Sequence, residues 1–205
     1  MTRVALVLLL QAPLILGIPI SGGSGAHALA EESIVRKGWW GDFNLGGGFL
    51  SQSGGGASQD GANFFMGLDA GYVVHPQFLL GAELSGWLSE AIEGPPSHRG
   101  EGIMQAFLTS RYYPLRESGL FVKLGGGYVS HWYVRPEEPE RRTGWGATVG
   151  GGYDFVVGKF PSALWFVTPF VTYGFGEAGD LTHHAITAGI GLTVTGNGSE
   201  QGASP

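Results

Sequence analysis

The chain has 205 residues and no cysteine, which excludes a disulfide framework, a thiolate metal site and a cysteine-linked lipid anchor. Its formal net charge of −6 provides no electrostatic footprint for a polyanion, so nucleic acid is not an expected partner. Aromatic residues make up 12% of the chain and charged residues only 14%, a combination that suits a protein exposing apolar surface to something other than water.

The first thirty residues have the pattern of a cleaved secretory signal peptide. Arg3 supplies a positive start, an apolar stretch interrupted by Gln11 runs from Val4 to Ile18, and small residues lead to Ala28-Leu29-Ala30. This last triplet is an A-x-A cleavage site. The alternative is a membrane anchor, but the apolar run is shorter than the roughly 20 residues that a spanning helix needs, and prolines interrupt it. We therefore predict cleavage after residue 30.

The rest of the chain alternates apolar and polar side chains with period two, as half-exposed β-strands do. No later segment is apolar enough for a membrane helix, and none has the spacing of a long amphipathic helix. Eight such stretches, each ended by Gly, Pro, Ser or Asp, lie near residues 38–50, 62–73, 78–88, 103–113, 119–129, 143–156, 164–175 and 183–194. The pattern predicts an all-β chain of eight strands.

Charged residues inside these stretches all fall on the polar face of their own strand. They are Asp42, Asp69, Glu83, Arg111, Lys123 and Asp154. A strand has two faces, so this agreement indicates that the polar faces line one common surface. Because buried charges are costly unless paired, we expect the six side chains to form a charge network across a lumen of otherwise small residues. We interpret the network as structural in preference to a conduction pathway.

The connections and the aromatic residues predict how the strands are arranged. Long connections near 51–61, 89–102 and 130–142 alternate with short ones, and aromatic residues gather at the strand ends in two girdles. An apolar strand face needs lipid, and lipid tolerates no open sheet edge. The eight strands must then close into an antiparallel up-and-down transmembrane β-barrel, with side chains filling its interior.

At this point the sequence resembles a known family. The run Arg111-Tyr112-Tyr113-Pro114, followed by Gly119-Leu120-Phe121-Val122 and Gly125-Gly126-Gly127-Tyr128, is similar to the small outer-membrane β-barrels that include the OmpA transmembrane domain, OmpX and opacity-type proteins. The resemblance spans residues 38–194. It implies a monomer in the outer membrane of a Gram-negative bacterium, with outer-membrane lipids, lipopolysaccharide and the barrel-assembly machinery as partners.

The last strand resembles the assembly signal of such barrels, which reads polar-x-Gly-x-x-apolar-x-apolar. Its four places are occupied by Thr187, Gly189, Leu192 and Val194, although the last place is usually aromatic in the family. We therefore predict a barrel over residues 31–194. The polar, Gly- and Ser-rich residues 195–205 are expected to form a disordered periplasmic tail.

Some barrels similar to this one modify lipid A. A deacylase-like site would need a nucleophile, a His base and an acidic orienter. Residues of these types occur near the outer strand ends: Ser130, His131, Asp180, Thr182, His183 and His184. Ser130 and His131 are adjacent in a strand and point to opposite faces, and the two later histidines alternate in the same way. We expect exposed loop histidines, and we predict no catalytic residue, no metal ligand and no cofactor.

Four functions remain open at this stage. The favoured one is a non-enzymatic envelope protein whose barrel presents outer loops for surface binding, adhesion or envelope integrity. A narrow channel for small solutes is the alternative, and a lipid A-modifying enzyme is less favoured. The fourth is a soluble exported barrel of the lipocalin type, which would turn its apolar face inward.

Overall fold

The computed structural model describes residues 36–54, 57–89, 101–116, 118–133 and 140–196. Within these ranges no helix is long and apolar enough to cross a membrane. The strands are β1 (Trp39–Gly54), β2 (Ala57–His75), β3 (Phe78–Ser89), β4 (Glu101–Tyr112), β5 (Leu120–Tyr133), β6 (Glu140–Tyr153), β7 (Phe155–Phe160), β8 (Ala163–Ala178) and β9 (Leu181–Gly196). The predicted signal peptide and tail residues 197–205 lie outside these ranges.

The sheet is antiparallel throughout and closes on itself. Each strand pairs with its neighbour in the chain except β6 and β7, which do not pair with each other, and β1 pairs with β9 along nearly its whole length. Strands β6 and β7 together occupy one strand position of the barrel, because both pair with β8. The register continues from one to the other, with Gly152 opposite Phe170 and Phe155 opposite Val167. Asp154 lies between them. The nine strands therefore form an eight-strand up-and-down barrel, which confirms the predicted fold.

The barrel has two distinct ends. The terminal end holds the start of β1, the end of β9 and the turns between β2 and β3, β4 and β5, and β7 and β8. The loop end holds the other four connections. The turn between β8 and β9 consists of Gly179 and Asp180, and Gly179 has φ of +64°, a conformation that glycine adopts without steric cost.

The strands extend further toward the loop end than the alternation predicts. The long connection expected at 51–61 is wrong, because β1 continues to Gly54 and β2 begins at Ala57, with sixteen paired positions between them. Strands β5 and β6 likewise run into the predicted loop 130–142. At the terminal end, β9 continues to Gly196 rather than ending at residue 194. Apart from Trp132 and Tyr133 on β5, the extensions at the loop end consist mainly of polar and small residues, so they carry no hydrophobic period that could reveal them.

The outward faces of the strands are apolar and exposed. Leu108 is the extreme case, with 78% of its surface accessible near the middle of β4. Exposed aromatic residues mark both ends of this belt: Trp39, Tyr72, Tyr112 and Tyr153 toward the terminal end, and Phe64, Tyr128, Trp145 and Tyr173 toward the loop end. This exterior is typical of a membrane-spanning barrel. The soluble lipocalin-type alternative requires the apolar face to point inward, and the observed barrel has the opposite arrangement.

Candidate functional site in the barrel lumen

The inward faces divide the lumen into three layers along the barrel axis. Nearest the terminal end is a hydrophobic cluster, the terminal cluster, made of Trp40, Val73, Leu79, Tyr113 and Phe121. A charged layer comes next along the barrel axis. Beyond it lies a second hydrophobic cluster, the loop-end cluster, made of Leu50, Phe65, Trp87, Ile103, Phe107, Val129 and Ala185. Polar groups are thus enclosed between two apolar plugs.

Three acidic residues form a row across neighbouring strands in the charged layer. Asp42 lies directly opposite Asp69, and Asp69 directly opposite Glu83, on β1, β2 and β3. Like charges directly opposite one another destabilise a sheet. Two cations on the next two strands, Arg111 and Lys123, also lie opposite each other and extend toward this row. The repulsion along each row is therefore offset across the lumen.

The acidic and basic rows join into a chain of alternating charge. Arg111 bridges Asp42 and Asp69, with 3.0 Å from its Nη2 to Asp69 Oδ2. Lys123 bridges Asp69 and Glu83, with 2.9 Å and 2.6 Å from its Nζ to their oxygens. Asn44 donates a further hydrogen bond of 3.3 Å to Asp69. Removing one partner of such a buried chain would leave an uncompensated charge.

Asp154, the sixth predicted residue, lies apart from this chain. Its partner is Arg36, a residue that precedes β1 and that the alternation could not reveal, with 3.0 Å between Arg36 Nη2 and Asp154 Oδ2. Tyr113 and Thr168 donate hydrogen bonds of 2.8 Å and 2.9 Å to the same carboxylate. Burial and the neighbouring Asp154 carboxylate raise the pKa of the Tyr113 hydroxyl, so Tyr113 keeps its proton as a donor.

Aromatic rings cover both guanidinium groups. Arg36 is fully buried, and its guanidinium carbon lies 3.7 Å from the centre of the Tyr113 ring. Arg111 lies 4.5 Å from the Trp40 ring and 5.0 Å from the Phe121 ring. Desolvated cation–π contacts of this kind are worth about 2 kcal/mol each. Arg36 and the terminal cluster together close the lumen at the terminal end.

The loop-end cluster corrects the expectation that only small and charged residues face inward. The rings of Phe65 and Trp87 lie 5.2 Å apart, and Phe170 from β8 packs on Phe65 at 6.0 Å. Trp87 donates its indole N–H to Thr187 at 3.3 Å. Sequence alternation missed the inward rings because adjacent positions carry aromatic residues on both faces, as in Phe64-Phe65.

The expectation of exposed loop histidines is wrong for His131 and His183. Both are fully buried on the inward faces of their strands, because β5 continues into the predicted loop 130–142 and β9 begins at Leu181, before the first residue of the last predicted stretch, His183. His131 Nε2 and His183 Nδ1 lie 3.0 Å apart, and Gln105 Nε2 lies 3.1 Å from His183 Nε2. An amide nitrogen only donates, so His183 accepts at Nε2 and donates from Nδ1 to His131.

The other residues of catalytic type are held elsewhere. Ser130 Oγ accepts a hydrogen bond of 2.9 Å from Arg141 Nε on the face of β5 opposite His131. Asp180 forms an ion pair with Arg142. His184 points outward and shares a hydrogen bond of 2.7 Å with Tyr173. These contacts separate the serine, the carboxylate and the buried histidine pair from one another.

A small cavity lies between the charged layer and the loop-end cluster. Its volume is about 20 Å³, which is room for one water-sized particle. Its walls are unequal, because β1 to β5 supply all of its charged side chains, whereas β6 and β8 supply threonines, glycines and the Phe170 ring. The polar lining comprises Asp42, Asn44, Glu83, Gln105, Arg111, Lys123, Thr148, Thr168 and Thr172.

The four residues of the predicted assembly signal lie along β9. Leu192 faces outward and Val194 lies on the same face of the strand, whereas Thr187 is fully buried in the lumen. Gly189 shares the inward face and contacts β1, where it lies opposite Gly46. The signal therefore lies on the strand that closes the barrel.

No protein-family model matches the chain, and no curated protein matches it. Among solved structures, the fold is similar to Neisserial surface protein A, with a TM-score of 0.53 and 12% identity over 78% of this chain and 98% of that chain. It is also similar to Ail, the attachment invasion locus protein of Yersinia pestis, with a TM-score of 0.50 and 13% identity over 77% of this chain and 99% of that chain. At the level of fold, these likenesses confirm the resemblance to small outer-membrane barrels.

Proposed function

We propose that this protein is an integral outer-membrane β-barrel of a Gram-negative bacterium and works as a sealed, non-enzymatic scaffold. Its loop end would face the cell exterior and present loops for surface binding, adhesion or envelope integrity. The observation that carries the proposal is one combination: an apolar exterior around a lumen that is blocked twice by hydrophobic clusters.

The exterior supports the membrane location. Contiguous exposed apolar surface on a soluble monomer rarely exceeds a few hundred Å². Here the apolar residues encircle the barrel, with aromatic residues at both rims, as headgroup regions favour. The terminal end, which carries the short turns, would face the periplasm, and the loop end would face the outside.

The packing of the interior favours a scaffold rather than a channel. Packed rings of the loop-end cluster and the stacked Arg36–Tyr113 pair lie across the path of a solute at the two ends of the lumen. A solute would have to displace both. Eight strands enclose an interior that side chains can fill, and beside the charged layer the described side chains leave a cavity of only about 20 Å³.

The contacts of the catalytic-type residues support a non-enzymatic role. Ser130 lies on the face of β5 opposite His131 and accepts a hydrogen bond from Arg141, so within the part of the chain that the structure describes no base is placed to activate it. The partners follow from the location: lipid and lipopolysaccharide around the belt, and the barrel-assembly machinery reading the last strand. Replacing Val194 with Phe would then maintain or improve assembly, whereas Leu192→Asp would reduce the amount of folded barrel in the membrane.

Planar-bilayer recording of the refolded protein tests the sealed lumen. We expect no unitary conductance steps from the wild type. The matched variant carries Phe65→Ala, Trp87→Ala and Arg36→Ala, which shorten the two plugs and should admit ions. Steps from the wild type of the same size as those from the variant would support the channel instead. Mass spectra of lipid A with and without expression test the enzyme alternative, and an altered spectrum would support it.

The surface role is tested by shortening one loop. Replacing residues 90–100 with a short Gly/Ser connection should leave the folded barrel in the membrane. We expect it to reduce adhesion of expressing cells to host matrix, or their resistance to detergent. Unchanged adhesion and resistance in this variant and in one with residues 134–139 shortened would contradict a loop-presenting function.

A further inference from the structure

We propose that the lumen cavity binds a single small monovalent cation beside Asp42 and Glu83. The inference goes beyond the scaffold function and rests on the charges, oxygens and space of the lumen. Alkali cations such as Na⁺ and K⁺ are the ligand class.

The first step is the charge of the layer. Among the described residues, the charged layer contains three carboxylates, Asp42, Asp69 and Glu83. Its two cations are Arg111 and Lys123, so the layer has a net charge of −1. The separate pair of Arg36 and Asp154 is balanced. An uncompensated charge in a protein interior is costly, so the layer favours taking up one positive charge.

The second step is that a proton is poorly suited to this task. The carboxylates alternate with the cations, so each carboxylate is a partner of Arg111 or Lys123. Neutralising any of them by protonation would weaken an ion pair inside the barrel. A bound cation instead supplies the missing charge and leaves the chain of alternating pairs intact.

The third step is the presence of oxygens without partners. Asp42 Oδ1 and Asp69 Oδ1 are both buried and accept no hydrogen bond, and two buried nitrogens of Arg111, Nε and Nη1, donate none. Asp42 Oδ1 and Asn44 Oδ1 converge above Gly191, where a Cβ would lie 2.8 Å and 2.5 Å from them. The absence of a side chain at residue 191 therefore lets a carboxylate and an amide oxygen approach the same place.

The fourth step is the lining and size of the cavity. Its polar walls supply oxygens from the carboxylates of Asp42 and Glu83, the amides of Asn44 and Gln105, and threonine hydroxyls on β6 and β8. The cationic groups of Arg111 and Lys123, already counted in the net charge of −1, also line it. Carboxylate, carbonyl and hydroxyl oxygens are the ligands of hard cations. The volume of about 20 Å³ admits one such ion and excludes an organic ammonium. A divalent ion would leave the layer at +1, so the charge favours a monovalent one.

The test compares unfolding of the folded protein in vesicles at equal ionic strength in NaCl, KCl and choline chloride. Choline is too large for the cavity. We expect an alkali cation to raise the urea midpoint saturably, because a ligand at 100 times its Kd lowers the unfolded-to-folded ratio about 100-fold. Identical midpoints in all three salts would overturn the proposal. A midpoint in choline that rises on acidification to match the NaCl value would overturn it in favour of a proton.

Two variants distinguish binding in the lumen from a general salt effect. Glu83→Gln brings the layer to zero charge, so its midpoint should no longer depend on the cation, whereas Glu177→Gln at an exposed position should keep the full dependence. Asp42→Asn makes the same charge change if Glu83→Gln does not fold. Cation dependence that persists in the neutralised variant would overturn the site.

Discussion

The exterior and the lumen are built from alternate residues of the same strands, yet they obey opposite rules. Leu68 is 54% exposed and its neighbour Asp69 is 3% exposed, although one peptide bond joins them. On the exterior, the apolar side chain is stable only because lipid replaces water. In the lumen, the carboxylate is stable only because Arg111 and Lys123 reach it. The comparison shows that, in a barrel of this kind, a side chain on the accessible surface is not necessarily in contact with water.

The two regions also differ in how specific their contacts are. An outward residue needs only to be apolar, since lipid adapts to its shape. An inward residue must match defined partners: Asp42, for example, meets the guanidinium of Arg111 and packs on Gly191. Matched substitutions in the two regions should therefore have unequal effects, and three pairs test this.

The largest difference is expected for arginine. Arg111→Met removes the cation shared by Asp42 and Asp69 and should lower the free energy of unfolding by about 3–5 kcal/mol, the cost of leaving buried charges unpaired. The control, Arg116→Met in the exposed turn after β4, should change it by less than about 0.5 kcal/mol. Equilibrium urea unfolding in lipid vesicles measures both, and equal effects would mean that the charged layer contributes no stability.

The second pair concerns a charged substitution at an exposed position, which a soluble protein would tolerate. Leu108 is the most exposed of the large apolar residues, so Leu108→Arg would be harmless if its surroundings were water. In lipid the change should cost about 2–4 kcal/mol near the bilayer midplane, whereas Leu115→Arg in the turn at the terminal end should cost about 0–1 kcal/mol. The same unfolding measurement applies. A neutral effect at Leu108 would place that face in water.

The smallest difference is expected for one hydroxyl group. Tyr113→Phe removes the hydrogen bond of 2.8 Å that the Tyr113 hydroxyl donates to the buried Asp154 carboxylate. The change should lower the free energy of unfolding by about 1.5–3 kcal/mol. Tyr173→Phe removes an exposed hydrogen bond to His184 and should change stability by less than about 0.5 kcal/mol. A larger loss at Tyr173 than at Tyr113 would contradict the contrast between the two regions.

Sequence alternation predicts the exterior well because that face follows a physical rule with a fixed period. Wherever a strand crosses lipid, every second residue must be apolar, so the faces, the strand number and closure follow from the pattern. The same rule assigns Asp42, Asp69, Glu83, Arg111 and Lys123 to the inward face, since each would be costly in lipid. Which of them pair is decided by side-chain reach across the lumen, which spacing along the chain does not encode.

The remaining features lack such a signal. Arg36 lies before the first alternating stretch, so nothing in its surroundings marks it as the partner of Asp154. Sequence alternation places His131 in the predicted loop 130–142 and His183 at the very start of the last stretch, where both side chains would be exposed. Phe65 and Trp87 face inward beside outward apolar residues, and alternation alone cannot distinguish a lumen plug from a lipid contact.

The most direct test of the account is the gel mobility of the protein from an outer-membrane fraction, compared without and with boiling. A closed barrel whose apolar belt faces lipid should be found in that fraction, resist detergent and migrate differently once heat unfolds it. Recovery as a soluble periplasmic protein with no heat-dependent shift would contradict the account, because the exposed apolar face could then not be facing lipid.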